Sequence, residues 1–364
     1  MNDFARQGSV QFNQRLRTEL AAITADVVAA VGPSMEALIL GGGYGRGEGG
    51  VVEIDGVEQP YNDFDMFLVV KPGARVRVDA LAPVLEPHAH RLGIHVDVSR
   101  PIRLAEIPRW PPALMWLDLL EGNRVLAGPP DVLSSRAPAW LGTPLPSVEA
   151  LRLLLNRGAG LLWAMRVVRN AEPPPDPEFV RRNAYKAALA LGDALLILHG
   201  RYRSVCTGRD AVFQALADTN PDVRALDVAD FHREGLAFKF HPDRAPRGAW
   251  TTPDLEALCK AFIRVFLAIE SQRHGIRLDT PAAYAAWDGR REPREGGLER
   301  LLRNAVQNLR AGHVCLRAPR ERLYPDLPRL LQQPEDGVAS GHSNPSGTWA
   351  DETARWLTAW RRTL

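Results

Sequence analysis

Apolar positions recur at helical spacing over residues 10–31, at Phe12, Leu16, Leu20, Ile23, Val27 and Val28, and predict an amphipathic helix. Gly32-Pro33 stops it. The period then changes. Residues 37–40 read as a short buried strand running into Gly41-Gly42-Gly43, and residues 51–59 alternate around Asp55-Gly56, a hairpin signal. A second core strand follows at 62–70 and is closed by Lys71-Pro72-Gly73. Residues 78–92 predict a helix capped by Gly93, and residues 94–99 a third strand. The Pro- and Trp-rich stretch 100–148 reads as the edge of a first domain and a linker.

From Ser147 onward long helical patterns take over, at about 147–170, 177–200, 208–218, 253–273 and 295–312. Ser147 with Glu149 reads as an imperfect capping box at the start of the first of these. Residues 333–347 form a polar connector rich in Gly, Ser and Pro. The terminal segment after it sets Trp349, Trp356, Leu357 and Trp360 on one side, which suits a helix docking back on the body better than a membrane anchor. The expected domains are 1–145, 146–332 and a terminal 333–364.

Composition narrows the class. With 45% apolar and 24% charged residues and a net charge of +2, the chain is an ordinary globular protein without a nucleic-acid-binding charge bias. Its three cysteines, Cys206, Cys259 and Cys315, are far apart and form no CxxC pair, so neither a disulfide framework nor a zinc module is supported. The N-terminal residues lack the positive-then-apolar pattern of a signal peptide, and the longest apolar run, around 187–198, contains Asp193 and is too short for a bilayer. A cytoplasmic location is the expectation. His88, His90 and His95 straddle a helix end and a strand, which favours structural or solvent-facing roles over zinc. Arg290-Arg291-Glu292-Pro293-Arg294 mixes charge signs and reads as a solvated turn.

The chemistry concentrates in residues 38–70. On a strand Asp63, Asp65 and Phe67 share a face, while Phe64 and Met66 point the other way. Two neighbouring carboxylates repel each other unless a cation sits between them. The glycines ahead of them allow backbone N–H groups to approach a bulky anion closely. If the third strand lies beside the second, Asp97 completes a trio of carboxylates.

The run GGYGRGE, followed by an Asp-x-Asp strand and a later strand aspartate, resembles the nucleotidyltransferase superfamily of polymerase-beta-like fold. The glycine motif is similar to that of the uridylyltransferases that modify a nitrogen-regulatory signalling protein, whereas the layout resembles aminoglycoside nucleotidyltransferases. The resemblance covers about residues 35–100. It implies an α+β fold, a mixed-sheet catalytic domain followed by an all-helical domain, with the active cleft at their junction. It also implies magnesium-dependent transfer of a nucleoside monophosphate from an NTP to a hydroxyl of a small molecule or protein, with release of pyrophosphate. Gly42 and Gly43 would cradle the triphosphate, and Arg46 would neutralise a phosphate or structure the loop by pairing with Glu48. Asp63 and Asp65 would bind Mg2+, with Mn2+ as an alternative, and Asp97 would share a second ion and help deprotonate the acceptor. From the helical part, Lys186, or Arg201 with Arg203, would grip the nucleotide.

The chain also departs from that pattern. The 49–62 stretch separating Glu48 from Asp63 is longer than the usual link, and no His-Asp dipeptide marks a hydrolase domain. The rival readings are an RNA- or tRNA-end nucleotidyltransferase, a toxin-like modifier, and a non-catalytic nucleotide-binding regulatory module. The lack of a basic stripe weighs against nucleic acid, and the retained aspartates weigh against the inert module. The base of the NTP, the acceptor and the oligomeric state are not encoded in any motif.

Overall fold

A first helix, α1 (Val10–Val31), buries Phe12, Leu16, Leu20, Ile23 and Val27 along one stripe and begins where the Ser9 side chain accepts from the Phe12 N–H. It belongs to a computed structural model that describes residues 3–61, 63–293, 297–310, 314–332 and 349–363. After α1 come β1 (Met35–Leu40), the short turn α2 (Gly42–Gly45), the hairpin β2 (Val51–Ile54) and β3 (Val57–Pro60), and β4 (Phe64–Val70). The hairpin turn holds Asp55 and Gly56 both at positive φ, the two-residue geometry that matches strand twist. Then follow α3 (Ala82–Leu92), ended by left-handed Gly93, β5 (Val96–Val98) and β6 (Ile102–Arg103).

The stretch expected to be edge and linker carries more structure than its prolines and tryptophans suggest. It contains α4 (Leu114–Glu121) and β7 (Arg124–Ala127), and β7 pairs antiparallel with β1 as an outer strand of the sheet. The strand order is β5-β4-β1-β7, with β6 also paired to β4; the β1–β4 pair is antiparallel and the β4–β5 pair parallel. The sheet is therefore mixed. One face, carrying Leu38, Leu40, Phe64, Met66, Leu68 and Val70, packs against α1 and α3. The other buries Ala37, Ile39 and Val69 with Ile107, Trp110, Leu119 and Val132. His88 is buried and bridges to α1, its Nε2 lying 2.8 Å from Asp26 Oδ2. No group of three or more His, Cys, Asp or Glu side chains among the described residues is gathered as a metal cage.

The chain divides into two compact units. The first comprises Met1–Leu145, Arg201–Val212 and Leu236–Pro246; the second comprises Pro146–Gly200, Phe213–Gly235 and Arg247–Leu364. The second is helical. Its helices include α5 (Val148–Val168), α6 (Phe179–Leu198), α7 (Arg209–Thr219), α8 (Pro221–Ala225), α9 (Ala229–Phe240), α10 (Thr252–His274), α11 (Pro281–Ala286), α12 (Leu298–Arg310), α13 (Asp326–Leu331) and α14 (Trp349–Arg361), although the first turns of α7 and the end of α9 belong to the first unit. Long α5, α6 and α10 pack on one another, and α14 docks on α5 and α13 with Trp356 and Leu357 buried. The connector expected at 333–347 lies outside the described residues. Among the described residues no helix is long and apolar enough to cross a membrane.

Two local expectations are corrected. Ser147 is itself in helical conformation and makes no capping bond, because Pro146 already accepts the Glu149 N–H. A capping box occurs instead at α10, where Thr251 and Asp254 satisfy each other's backbone N–H groups. The run at 290–294, of which Arg294 lies outside the described residues, is not a solvated turn at its centre: Arg291 and Glu292 are buried, and Arg291 donates to the Tyr284 and Trp287 carbonyls. Glu292 accepts from Arg152 at 2.8 Å, Arg320 at 2.5 Å and Tyr324 at 2.6 Å. The alternating signs served a buried network, which a local reading of charge cannot reveal.

Burial alone would raise the Glu292 carboxyl, but Arg152 and Arg320 outweigh it and hold it at about 2. A depressed carboxyl stabilises the fold fully above the ordinary glutamate value of about 4.3 and loses that contribution as it protonates. The Glu292 share of stability is therefore expected to disappear as pH falls from there towards about 2. Replacing Glu292 by Ala takes the shared acceptor from buried Tyr324, from half-buried Arg320 and from Arg152, which keeps Glu149, and should cost about 3 kcal/mol at neutral pH, read from urea unfolding.

Candidate active site

The glycine turn begins where β1 leaves the sheet. Gly41 donates its N–H to the Asp65 carbonyl at 2.8 Å, tying the turn to β4. A Cβ on Gly41 would strike Phe67 at 2.6 Å and Leu119 at 3.2 Å, so the apolar core ends directly under this residue. Gly42 has φ +61°, and a Cβ there would lie 2.4 Å from Asp65 Oδ2. Only glycine lets that carboxylate come up against the turn. Within the turn the N–H groups of Gly45, Arg46, Gly47 and Glu48 bond back to Gly41, Gly42, Tyr44 and Gly43 respectively; those of Gly42 and Gly43 take no part.

Strand pairing sets two of the three expected carboxylates side by side. Asp65 and Asp97 are direct register partners on parallel β4 and β5, so their side chains leave the same face. Asp63 precedes β4 by one residue, and all three aspartates are exposed. Carboxylate oxygens on one face suit a hard divalent cation in type. They do not form a preassembled cage of three, as noted above. That set fits magnesium, which commonly takes one or two protein carboxylates and completes its shell with water and substrate phosphates.

Arg46 and Glu48 are turned into the protein. Glu48 is 1% exposed, and its two carboxylate oxygens accept from the Cys206 N–H at 2.9 Å, the Thr207 N–H at 2.9 Å and the Thr207 hydroxyl at 2.6 Å. Arg46 Nε lies 3.7 Å from Glu48 Oε2. Burial would push the Glu48 carboxyl up, yet the bonds from Thr207 and Cys206, with the Arg46 charge, bring it below its ordinary value. This pair matches the loop-structuring role among those considered for Arg46. Ser204 likewise bonds Glu121 through its hydroxyl at 2.8 Å, and Tyr202 donates to Asp118 at 3.1 Å. The exposed Arg201 and Arg203 thus belong to a segment fastened onto the first unit.

Lys186 is exposed on α6 in the second unit. Lys239, at the end of α9 and within the first unit, brings its ammonium Nζ to 3.4 Å from the position a Gly43 Cβ would occupy. No described residue pairs with Lys239, which is half-buried. The inserted hairpin helps hold it there. Tyr61 packs edge-on against Phe238 at 5.5 Å, and Arg244 pairs with Glu53 at 3.6 Å. Sequence reasoning missed Lys239; the scarcity of lysine, at four positions, was the one available signal.

No protein-family model and no curated protein matches the chain. Among solved structures it is similar to spectinomycin adenyltransferase AAD(9) from Enterococcus faecialis, determined with ATP and spectinomycin. The likeness covers 68% of this chain and 98% of that one, at 11% identity and a TM-score of 0.43.

The Glu48 tie is directly testable. Glu48→Ala strands the buried Cys206 N–H and releases the part-buried Thr207 N–H. It should lower stability by about 1–3 kcal/mol in urea unfolding followed by tryptophan fluorescence.

Proposed function

We propose that the chain is a nucleotidyltransferase that moves a nucleoside monophosphate from an NTP to a hydroxyl of a small molecule or a protein, releasing pyrophosphate. The observation that carries this reading is the Asp65 carboxylate held against Gly42, with Asp97 in register beside it. It joins carboxylates for a cation to a backbone turn that a phosphate can approach.

In this reading Gly42 and Gly43 present their backbone to the triphosphate, and Lys239 neutralises part of its charge without a competing protein partner. Asp97 accepts the proton of the acceptor hydroxyl as its oxygen attacks the α-phosphorus. The bond to the β-phosphate oxygen breaks in line, and pyrophosphate departs with the pair of electrons. Asp63 and Asp65 would hold magnesium, which when bound supplies charge neutralisation to the entering and leaving oxygens. Glu48 and Arg46 support the turn. The reading favours no polynucleotide acceptor, since net charge is +2 and no basic stripe runs along the chain.

Asp65→Asn keeps the size of the side chain and removes its charge. Pyrophosphate release, assayed with each NTP over a panel of hydroxyl acceptors, should fall by about a hundredfold or more. Unchanged turnover in that variant would sink the mechanism. Lys239→Ala should raise the apparent KM for the NTP by about tenfold, with a smaller effect on binding of the acceptor.

A further inference from the structure

A second cavity of the first unit lies beside the glycine turn, and the mechanism above does not use it. It has a volume of about 810 Å³ and is lined by Arg6, Arg17, Arg46 and Arg124, with Asp3 and Glu121 as its acidic members. None of Asp63, Asp65, Asp97, Gly43 or Lys239 borders it. We propose that this arginine-lined cavity binds a polyphosphate anion, either free or as the phosphate chain of a nucleotide. The inference does not rest on the transferase reading.

Four guanidiniums converge where two carboxylates are present, and one of those is already engaged. Glu121 accepts the Ser204 hydroxyl and N–H. No described residue pairs with Arg6 or Arg17. The side chain of Arg46 is nine-tenths buried, and its Nε has no hydrogen-bond partner. Its ion-pair partner, Glu48, stands 3.7 Å away and is already engaged by residues 206 and 207. Gly122 exists to admit this arginine, for a Cβ there would fall 2.0 Å from Arg46 Cγ. Arg124 stacks over Phe4 at 4.1 Å and gives one N–H to the Asp3 carbonyl. Burial and the nearby Arg17 charge weaken its hold on its proton, and the Asp3 charge opposes them only in part.

The chemistry selects the ligand class. Guanidinium forks match phosphate oxygens bidentately, and several forks around one cavity favour an anion with several phosphate groups. The volume lies in the range of small-molecule sites rather than of a groove that tracks a polymer.

The test is calorimetric titration with pyrophosphate, tripolyphosphate and ATP, in EDTA at about 0.15 M salt so that exposed charges are screened. The wild type and Asp65→Asn should bind alike. Arg17→Gln and the surface variant Arg6→Gln should each weaken binding about tenfold, while Arg17→Lys, which keeps the charge and loses the fork, recovers only part of it. Tighter binding of ATP than of tripolyphosphate would assign the ligand as a nucleotide, and the reverse as free polyphosphate. Absence of binding to all three probes would overturn the proposal. So would binding that is lost in Asp65→Asn and kept in Arg17→Gln and Arg6→Gln. Each variant's unfolding midpoint, compared with wild type, separates lost binding from lost folding.

Discussion

A buried carboxylate must find donors or give up its charge, and Glu48 meets that constraint by drawing in residues 204–207. The first unit depends on this tie. It fastens a chain segment from far along the sequence to the loop that follows the glycine turn. The same loop is gripped from the other side by the N-terminal arm, where Arg6 donates to the Gly47 carbonyl and Gly49 to the Phe4 carbonyl. Asn13 in turn holds that arm by accepting from the Phe4 and Ala5 N–H groups. The loop is therefore clamped by two separate stretches of chain, which limits how far Gly42 and Gly43 can drift from Asp65.

Rigidity of this kind matters for a site built from backbone and short side chains. Asp65 reaches the turn only because Gly42 lacks a side chain, and Asp97 joins it only because β4 and β5 pair in parallel register. Neither device tolerates a slip of one residue, since that would send the carboxylates to the apolar face now packed on α1 and α3. The core residues Phe67 and Leu119 close off the space immediately below. The site thus occupies the edge of the hydrophobic core, where charged groups stay hydrated while their backbone is held.

The 49–62 insertion also acquires a place. Its hairpin receives the 236–246 segment through Tyr61 on Phe238 and Glu53 on Arg244. That segment carries Lys239 to Gly43. A departure from the expected spacing thereby brings a cation to the turn that the local motif does not contain.

The sequence by itself determined the elements whose signal is local. The apolar stripe of α1, the Asp55-Gly56 hairpin, the alternation of β4 and the left-handed Gly93 after α3 all depend on neighbours within a few residues. What only the tertiary structure decided depends on residues far apart in the chain. The pairing of Asp97 with Asp65, the outer strand β7, the seating of Glu48 on Cys206 and Thr207, Lys239 at Gly43 and the burial of Glu292 are of this kind. Hydrophobic period reports which side of an element is buried, whereas a charged side chain's partner is chosen by where distant elements meet, and period carries no record of that.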